Sequence, residues 1–312
     1  MNSDTPLPIL AGPTASGKTH FALLLAERHG MEIVSADSRQ IYRGLDIGTA
    51  KPTPEEQARA RHHVIDVCDP TETYCLARFI ADAEAAIADI RARGKRPLLV
   101  GGTGLYLRGL TQGIFEDDSH DPEVRRRIRS RIEVEGAPAV HVELARADPV
   151  AAAKIHPNDA VRIARALEVL EVTGEPISWL WTQSRSDGPR HAHRIAVIDV
   201  ERGVLSERID RRTRAMFEGG LLDEVAALLR SGVSPGAPGM RAIGYPQAIA
   251  AIRGEMTREE AIDVTARETR RYAKRQRTWF RSERGAVWLD PSRRGDAKFL
   301  AQLEKTLAIH TV

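Results

Sequence analysis

The stretch that decides the fold is Gly12-Pro13-Thr14-Ala15-Ser16-Gly17-Lys18-Thr19. It matches the phosphate-binding pattern G-x-x-x-x-G-K-[ST], and it stands between a short apolar run and a helical pattern that Gly30 ends. In that context, the backbone amides at the start of the helix point at an anion, and the helix dipole favours negative charge there. Lys18 adds a positive charge, and the Thr19 hydroxyl can ligate Mg2+. The stretch therefore predicts a site for a diphosphate or triphosphate, without saying of which molecule.

Apolar runs alternate with helical patterns in the first third of the chain. Strands are predicted at residues 8–11, 32–35, 63–66 and 97–100, and helices at residues 19–29, 54–61 and 76–93. This alternation is typical of an α/β protein with a parallel sheet flanked by helices on both faces. Together with the phosphate-binding motif after the first strand, it predicts a core like that of the P-loop NTPases.

The chain changes character after residue 116. Charged helical patterns follow at residues 122–128, 139–144 and 160–172, and a β-branched strand returns at residues 194–200. The remainder is predicted to be helical, including residues 204–218, 221–230, 245–253 and 258–281. We therefore predict a discontinuous P-loop core, made of residues 1–116 and 191–312 with the C-terminal helices, and a helical insertion domain at residues 117–190.

The composition is that of a globular protein without membrane spans. Of the 312 residues, 42% are hydrophobic, and no apolar run approaches the length of about 18 residues that a spanning helix needs. The two cysteines, Cys68 and Cys75, form no C-x-x-C pair, which favours a reducing cytoplasm. The histidines are scattered, and no set of His and Cys ligands for zinc is recognisable.

Positive charge is concentrated near the C-terminal end, although the net charge is only +3. Eight basic residues lie between Arg267 and Arg284, and only Glu268 and Glu283 oppose them. Such a cluster is a candidate nucleic-acid surface. It is equally compatible with the solvated face of a helix, and charge alone does not separate the two.

Asp37 is the second candidate for chemistry. It follows the predicted strand at residues 32–35, and ligands of doubly wound sheets bind outside the carboxyl ends of the strands. Asp37 should therefore lie beside the phosphate loop, near Thr19. It could hold Mg2+ through water, accept a proton from a nucleophile, or only close an Asx turn.

A glycine-rich turn follows another predicted strand, in Val100-Gly101-Gly102-Thr103-Gly104-Leu105-Tyr106. Its small residues would let a ligand approach the backbone closely, with the Thr103 hydroxyl at hand, or they would only form a tight turn. Many NTPases carry an Asp at the end of the corresponding strand. This strand has none, which speaks against ATP hydrolysis.

Further cations could reach phosphates or simply solvate a surface. They are Arg43 and Lys51 in an irregular loop, Arg162 and Arg165 after the helix-start pattern 156–159, and Arg208, Arg211, Arg212 and Arg214 in the helix after Asp199.

Seven segments occur in a characteristic order along the chain: GPTASGKT (12–19), SADSRQ (35–40), IYRGLDIGTAKP (41–52), VGGTGLY (100–106), NDAVRIARALE (158–168), IGY (243–245) and YAKRQRTW (272–279). In this combination the chain resembles the bacterial tRNA dimethylallyltransferases, also called tRNA isopentenyltransferases, over nearly its whole length.

The resemblance implies a reaction and its partners. A dimethylallyl group would pass from dimethylallyl diphosphate to the exocyclic N6 amine of the adenosine 3′-adjacent to the anticodon, in tRNAs that read codons beginning with U, and diphosphate would be released. The implied partners are the tRNA anticodon stem-loop, dimethylallyl diphosphate and Mg2+, and the enzyme would act as a cytoplasmic monomer without a membrane partner. A loop that grips oxyanions would hold the prenyl diphosphate, so the ATP-binding motif need not mean ATP.

The resemblance also implies roles for individual residues. Asp37 would be the general base, and Lys18, Thr19 and Arg212 would stabilise the leaving diphosphate. Diphosphate binding falls to Gly12, Pro13, Thr14, Ala15, Ser16, Gly17, Lys18 and Thr19, with Mg2+ at Thr19. Contacts with tRNA fall to Asp37, Ser38, Arg39, Gln40, Thr103, Arg125, Val161, Arg162, Ile163, Ala164, Arg165, Arg241, Ala242, Ile243, Gly244, Tyr245 and Pro246. Arg39 and Pro246 depart from the commoner residues at their positions, which affects only the expected fine contacts with tRNA.

Three alternatives to this function remain at the level of sequence. A P-loop small-molecule kinase would turn over ATP without RNA. An adenylate isopentenyltransferase would use free AMP or ADP as the acceptor and would not need the basic insertion. An RNA-binding protein with an inactive phosphate loop would not need to retain Lys18, Thr19 and Asp37.

Overall fold

The computed structural model describes residues 5–113, 121–183, 190–293 and 295–309. They form two compact units, which we call the sheet unit, up to Thr111 and from His191 on, and the helical unit, Gln112–Arg190. The predicted boundary between residues 116 and 117 lies outside the described residues, as does most of the polar segment 183–189. The predicted assignment of a core and an insertion domain stays a prediction.

The described part of the sheet unit contains one six-stranded sheet. Its strands are β1 Leu7–Ala11, β2 Glu32–Ala36, β3 His62–His63, β4 Pro97–Gly101, β5 His193–Ile198 and β6 Val287–Leu289. The spatial order is β3-β2-β4-β1-β5-β6, and every adjacent pair is parallel. The carboxyl ends of all strands therefore meet at one edge of the sheet.

The pairing register fixes which loops start side by side at that edge. Gly101, at the end of β4, pairs with Ala11 of β1 on one side and with Ala36 of β2 on the other. The residues that follow these three, Gly12, Asp37 and Gly102, therefore leave the sheet at the same level.

The helices are, in chain order, α1 Lys18–His29, α2 Pro54–Arg59, α3 Leu76–Ala92, α4 Gly104–Gln112, α5 Pro122–Glu135, α6 Ala137–Ala147, α7 Pro149–Ala152, α8 Ala160–Thr173, α9 Ile177–Gln183, α10 Arg202–Glu218, α11 Leu221–Arg230, α12 Tyr245–Ile252, α13 Arg258–Arg281 and α14 Asp296–Leu307. Among the described residues, no helix combines the length and the apolar character that crossing a bilayer requires.

The core of the sheet unit forms where amphipathic helices cover the apolar strands. Leu10 of β1 is buried with Leu25 of α1, Leu205 of α10 and Phe299 of α14. Helix α3 packs on β2 and β4, and its Phe79 ring stacks on Tyr106 of α4 with the ring centroids 4.1 Å apart. Burial of such side chains supplies the hydrophobic stabilisation that holds the loops at the sheet edge in place.

The helical unit has an apolar core of its own. Ile128 and Ile132 of α5, Leu144 of α6, and Ile163 and Leu167 of α8 are buried together. These residues recur at helical spacing, so each helix turns one apolar stripe inward and its charged residues outward.

The α/β fold class with a parallel sheet is confirmed, and the differences from the sequence predictions are local. Helices α11 and α13 have the predicted bounds. Strand β3 ends at His63 rather than at residue 66, because Val64 and Asp66 adopt positive φ angles that no strand accommodates. Strand β6 and helix α4 were not predicted individually, since the first has only three residues and the second begins in a glycine-rich turn.

Candidate active site

The phosphate loop joins β1 to α1 and leaves the start of that helix open. Helix α1 has no side-chain cap and no acidic residue in its first turn, so its first amides are available to an anion. Gly17 precedes the helix with φ +93° and Ala15 has φ +62°, both in the left-handed region. Gly12 (φ +151°) packs against β5, where a Cβ atom would lie 3.0 Å from the Ile198 carbonyl oxygen. The loop conformation thus requires glycine at Gly12 and Gly17, the two glycines of the motif.

Lys18 crosses back over this loop. Its Nζ donates a hydrogen bond to the Pro13 carbonyl oxygen at 2.7 Å. Burial lowers the pKa of Lys18 from 10.5 to about 8, Asp37 partly opposes this shift, and Arg212 adds to it. An anion bound in the loop would favour the charged lysine.

Arg212 reaches the same loop from α10. Its Nη1 donates to the Thr14 hydroxyl at 3.4 Å, and burial lowers its pKa. Of the arginines predicted with it, Arg208 and Arg211 also line the cleft described below, whereas Arg214 is paired with Glu259. The structure therefore brings Arg212 to the phosphate loop and separates Arg214 from it.

Asp37 begins the loop after β2, at the level of the phosphate loop. Its Oδ1 accepts hydrogen bonds from the backbone amides of Arg39 at 2.8 Å and Gln40 at 3.3 Å. The predicted Asx turn is therefore present. No described residue donates a hydrogen bond to Oδ2, which leaves that oxygen available to a substrate.

Thr103 connects the β4 turn to the Asp37 loop. Its hydroxyl accepts a hydrogen bond from the Ser38 amide at 3.1 Å, and its own amide donates to the Ala36 carbonyl oxygen at 3.2 Å. The phenol of Tyr272, on α13, lies beside both Thr103 and Asp37. Burial raises the Tyr272 pKa to about 12; Asp37 raises it further, and the hydrogen bond with Thr103 opposes these effects.

Other residues of the chain occupy the space beside the glycines that follow β4. A Cβ atom would lie 2.2 Å from the Ala36 carbonyl oxygen at Gly101, 2.2 Å from Gln276 Nε2 at Gly102, and 2.1 Å from the Trp279 ring at Gly104. These positions require glycine for packing against β2 and α13, and the approach of a ligand to this turn stays a prediction.

The irregular loop at residues 41–52 is held by two charged side chains, the buried Lys51 and the half-buried Glu224. Lys51 Nζ donates to the Tyr42 carbonyl oxygen at 2.8 Å and to the carboxylates of Asp46 and Asp66. An ammonium group has three donors, and these three contacts use all of them, so Lys51 holds the loop together. Lys51 also lines the cleft described below, and its contact with a phosphate stays a prediction. Arg43 remains exposed.

The second charge that holds this loop is Glu224 of α11. It accepts hydrogen bonds from the amides of Asp46 at 3.0 Å and Ile47 at 2.7 Å, and from the Tyr245 hydroxyl at 2.6 Å. Sequence reasoning missed Glu224, because its partners are 21 to 178 residues away and no local pattern marks it.

A cleft of about 1560 Å³ lies within the sheet unit at the carboxyl edge of the sheet. Thr14 to Thr19 and Asp37 to Gln40 line it, with Arg241, Ala242, Ile243, Tyr272 and Gln276. The structure thus gathers Thr14 to Thr19 of the predicted diphosphate residues and the predicted base in one cavity, whereas Gly12 and Pro13 are not among its lining residues. The remaining Gly244-Tyr245-Pro246 segment starts α12, where Tyr245 is fully buried and its hydroxyl is bonded to Glu224.

Two of the predicted tRNA residues of the helical unit bind a buried carboxylate. Arg125 Nε and Arg165 Nη1 donate to Glu168 Oε2 at 3.0 and 2.9 Å, and Glu168 is fully buried. At the start of α8, Val161 is 68% exposed, whereas Ile163 and Ala164 are buried in the core. Of the predicted segment 161–165, Val161 and Arg162 are therefore the residues that face solvent.

Gln276, which lines the cleft, is a second residue whose role the sequence did not disclose. It was recognisable only as a polar member of the buried stripe of α13 and as part of the YAKRQRTW segment. Its partners lie in the phosphate loop and the β4 turn, and nothing in the sequence indicates these long-range contacts.

Two family models match the chain. The model described as IPP transferase matches residues 40–283, and the model described as isopentenyl transferase matches residues 6–69. The chain is 50% identical over 285 residues to the tRNA dimethylallyltransferase of Anaeromyxobacter dehalogenans, which is 91% of this chain and 95% of the relative. It is also 50% identical over 285 residues to that of Myxococcus xanthus, which is 91% of this chain and 92% of the relative.

Two solved structures of enzymes of the same kind are also similar to this chain. The tRNA isopentenylpyrophosphate transferase of Bacillus halodurans is 38% identical with a TM-score of 0.72, and the match covers 97% of this chain and 95% of that one. A eukaryotic dimethylallyltransferase acting on tRNA is 27% identical with a TM-score of 0.78, over 98% of this chain and 77% of that one.

Proposed function

Because the chain belongs to the IPP transferase family of tRNA dimethylallyltransferases, we propose that it transfers a dimethylallyl group from dimethylallyl diphosphate to an adenosine of tRNA. The acceptor is the exocyclic N6 amine of the adenosine 3′-adjacent to the anticodon, in tRNAs that read codons beginning with U. The single observation that carries the assignment to this site is one cleft holding an open phosphate loop and a carboxylate with a free oxygen.

The diphosphate binds in the phosphate loop. Amides at the start of α1, the Lys18 ammonium and the Arg212 guanidinium surround the same space, and none of the three is neutralised there by a bonded carboxylate among the described residues. Negative charge grows on the diphosphate as the allylic carbon–oxygen bond breaks. Fixed positive groups in a partly buried site stabilise that charge without reorganising.

The residues present fit a Mg2+ ion whose ligands come partly from the protein and partly from the substrate diphosphate. Among the described residues, no cluster of three or more His, Cys, Asp or Glu could hold a metal by itself. Thr19, in the first turn of α1, lines the cleft and offers a hydroxyl, as Mg2+ sites that also use phosphate oxygens and water require. When bound, the ion would neutralise charge on the diphosphate.

Asp37 accepts the proton. As the N6 nitrogen bonds to the first carbon of the dimethylallyl group, the carbon–oxygen electron pair leaves with the diphosphate, and the nitrogen loses a proton to Asp37. Oδ1 is held by the Arg39 and Gln40 amides, so Oδ2 is fixed in direction and free to act.

The adenosine has to leave its stack to enter the cleft. Unstacking costs a few kcal/mol, less in a single-stranded loop than in a duplex, which fits an anticodon loop as the substrate. Arg39 and residues 241–243 line the cleft and would contact the entering base, with Thr103 behind Ser38. The exposed Val161 and Arg162 of the helical unit would contact the anticodon stem. Phosphate contacts there add affinity without reading sequence. We place the enzyme in the cytoplasm, where its tRNA substrate is.

Transfer of a labelled prenyl group tests this function. The protein is mixed with Mg2+, radiolabelled dimethylallyl diphosphate and unmodified tRNA with A-A-A at the 3′ edge of the anticodon, and free AMP is offered in a parallel reaction. Label in tRNA and not in AMP supports the proposal. Label in AMP alone would make the enzyme an adenylate isopentenyltransferase, and ATP consumption on a small metabolite without label transfer would make it a kinase.

A further inference from the structure

Gln276 of α13 joins two loops of the cleft through one buried amide. Its Oε1 accepts a hydrogen bond from the Thr14 backbone amide at 2.8 Å, and its Nε2 donates to the Gly102 carbonyl oxygen at 2.9 Å. The side chain is 6% exposed. The bridge needs one acceptor and one donor on the same planar group, which a primary amide supplies and a carboxylate does not.

The two loops that Gln276 joins carry the two halves of the reaction. Thr14 belongs to the phosphate loop, and its hydroxyl also receives the hydrogen bond from Arg212. Gly102 precedes Thr103, whose hydroxyl accepts from the Ser38 amide, next to Asp37. A continuous chain of contacts thus leads from the diphosphate site through Gln276 to the loop of Asp37, the proposed general base.

The fit around this amide is close. A Cβ atom at Gly102 would lie 2.2 Å from Gln276 Nε2, so the absence of a side chain at Gly102 makes room for the bridge. Tyr272, one turn earlier on α13, lies beside Thr103 and Asp37. The same helix therefore supports the Asp37 loop at one turn and the phosphate loop at the next.

We propose that Gln276 is a positioning residue that sets the separation between the bound prenyl diphosphate and the adenosine amine. The proposal rests on the proposed function. Attack at the allylic carbon requires the nitrogen to be held roughly 3–3.5 Å from that carbon, and a displacement of about 1 Å can cost about 100-fold in rate. Gln276 touches neither reacting atom; it holds the two loops that do.

The test compares Gln276→Met and Gln276→Glu with the wild type. Methionine keeps the length of the side chain and removes both hydrogen bonds, whereas glutamate keeps an acceptor for Thr14 and turns a second oxygen toward the Gly102 carbonyl. At saturating tRNA and dimethylallyl diphosphate, we expect the single-turnover rate to fall about 10- to 100-fold in both variants. The dissociation constants of the two substrates should change little, because the groups that bind them are intact. Gln302→Glu on α14, half-buried and remote from the cleft lining, is the control for the change of charge.

A pH series gives a readout that a purely structural role would not move. As the pH is lowered, the introduced carboxyl of Gln276→Glu becomes protonated and regains a donor toward the Gly102 carbonyl oxygen. The rate of Gln276→Glu, relative to that of Gln276→Met, should therefore rise toward low pH. A constant ratio would contradict the bridging role.

Gly102→Ala is a second, independent variant. Its Cβ would displace the Gln276 amide, so the rate should fall as in Gln276→Met. In a Gln276→Ala background, where that Cβ meets only the Gly12 carbonyl oxygen at 3.2 Å, the same change should cost much less. Additive effects, or variants that turn over at the wild-type rate once corrected for folded protein, would overturn the proposal. Absence of transfer by the wild type itself would instead refute the proposed function.

Discussion

At the scale of the residue, Asp37 divides two tasks between its two oxygens. Oδ1 closes the turn with the Arg39 and Gln40 amides, and Oδ2 has no partner among the described residues. Asp37→Asn keeps an acceptor for the turn and removes the base, so we expect the single-turnover rate to fall at least about 100-fold while the thermal midpoint changes little. Asp69→Asn, at an exposed turn in which Oδ1 accepts from the Thr71 amide at 3.0 Å, is the matched control. A wild-type rate for Asp37→Asn would reduce Asp37 to a turn residue.

Lys18 predicts a pH dependence of donor binding. Burial lowers its pKa to about 8, whereas a bound diphosphate favours the ammonium form. Above pH 8 the free enzyme therefore has to take up a proton to bind, and the affinity for dimethylallyl diphosphate should fall with rising pH, by at most about tenfold per unit. Titration by calorimetry between pH 7.5 and 9.5 measures this. Lys18→Ala should bind more weakly and lack that fall; equal slopes in the two proteins would show that another group titrates. The ionisation of the ligand itself cancels in the comparison.

The lowered pKa of Lys18 affects the stability of the fold in the direction opposite to its effect on ligand binding. Between about pH 8 and 10.5 the unfolded chain, with an ordinary lysine pKa, binds more protons than the folded one. This group therefore makes folding more favourable as the pH rises through that window, where it makes binding less favourable. The buried ammonium is thus retained at the expense of stability, as expected for a residue that serves a ligand.

At the scale of the element, the loop at residues 41–52 is shaped by α11. Glu224 accepts hydrogen bonds from the amides of Asp46, Ile47 and Gly48 and from the buried Tyr245 hydroxyl. Glu224→Ala leaves these donors unpaired, and we expect about 1–3 kcal/mol of destabilisation. Hydrogen exchange should increase at residues 46–48 before it increases in the sheet. Asp223→Ala, an exposed acid in the same helical turn, is the control, and equal exchange in both variants would contradict the role of Glu224.

Elements with a local signal could be predicted, and those defined by distant partners could not. The stripe of small and apolar residues in residues 258–281 predicted α13, and the motif at residues 12–19 predicted the phosphate loop. Strand β6 is three residues long and exists only because β5 pairs with it. The carboxylate partners of Lys51, Asp46 and Asp66, could not be predicted, because they converge only in the folded loop.

The residues of the site also divide into those with a local sequence signal and those defined by distant partners. Lys18, Thr19 and Asp37 could be identified because a local motif or the end of a strand marks each of them. Gln276 lies 262 residues from Thr14 and 174 from Gly102, and only the packing of α13 against the sheet edge brings them together. Sequence therefore identifies the groups that touch substrate more readily than the groups that hold them in place.

At the scale of the whole molecule, the number of basic residues overstates the charge that is free to meet RNA. In α13, Arg270 is paired with Asp210, Arg271 with Glu268 and Arg277 with Asp199. In the helical unit, Arg126, Arg127 and Arg131 are likewise paired with glutamates. Lys274 and Arg275 have no carboxylate partner among the described residues, and Arg275 lines the cleft. The positive charge that this cluster could offer to RNA phosphates is therefore smaller than the number of its basic residues suggests.

The contribution of the α13 cations Lys274 and Arg275 to tRNA binding can be measured from the salt dependence of the affinity. Each cation that neutralises a tRNA phosphate releases counterions, so the logarithm of the affinity should fall steeply with the logarithm of the salt concentration. Replacing Lys274 and Arg275 together by glutamine should weaken tRNA binding and reduce the magnitude of that slope by about 2. Lys298→Gln is the control, because Lys298 lines a separate surface pocket and is not among the residues that line the cleft. Filter binding across a salt series gives both slopes. If the double variant kept the wild-type slope, α13 would be a solvated helix face, and the phosphate contacts would have to lie elsewhere.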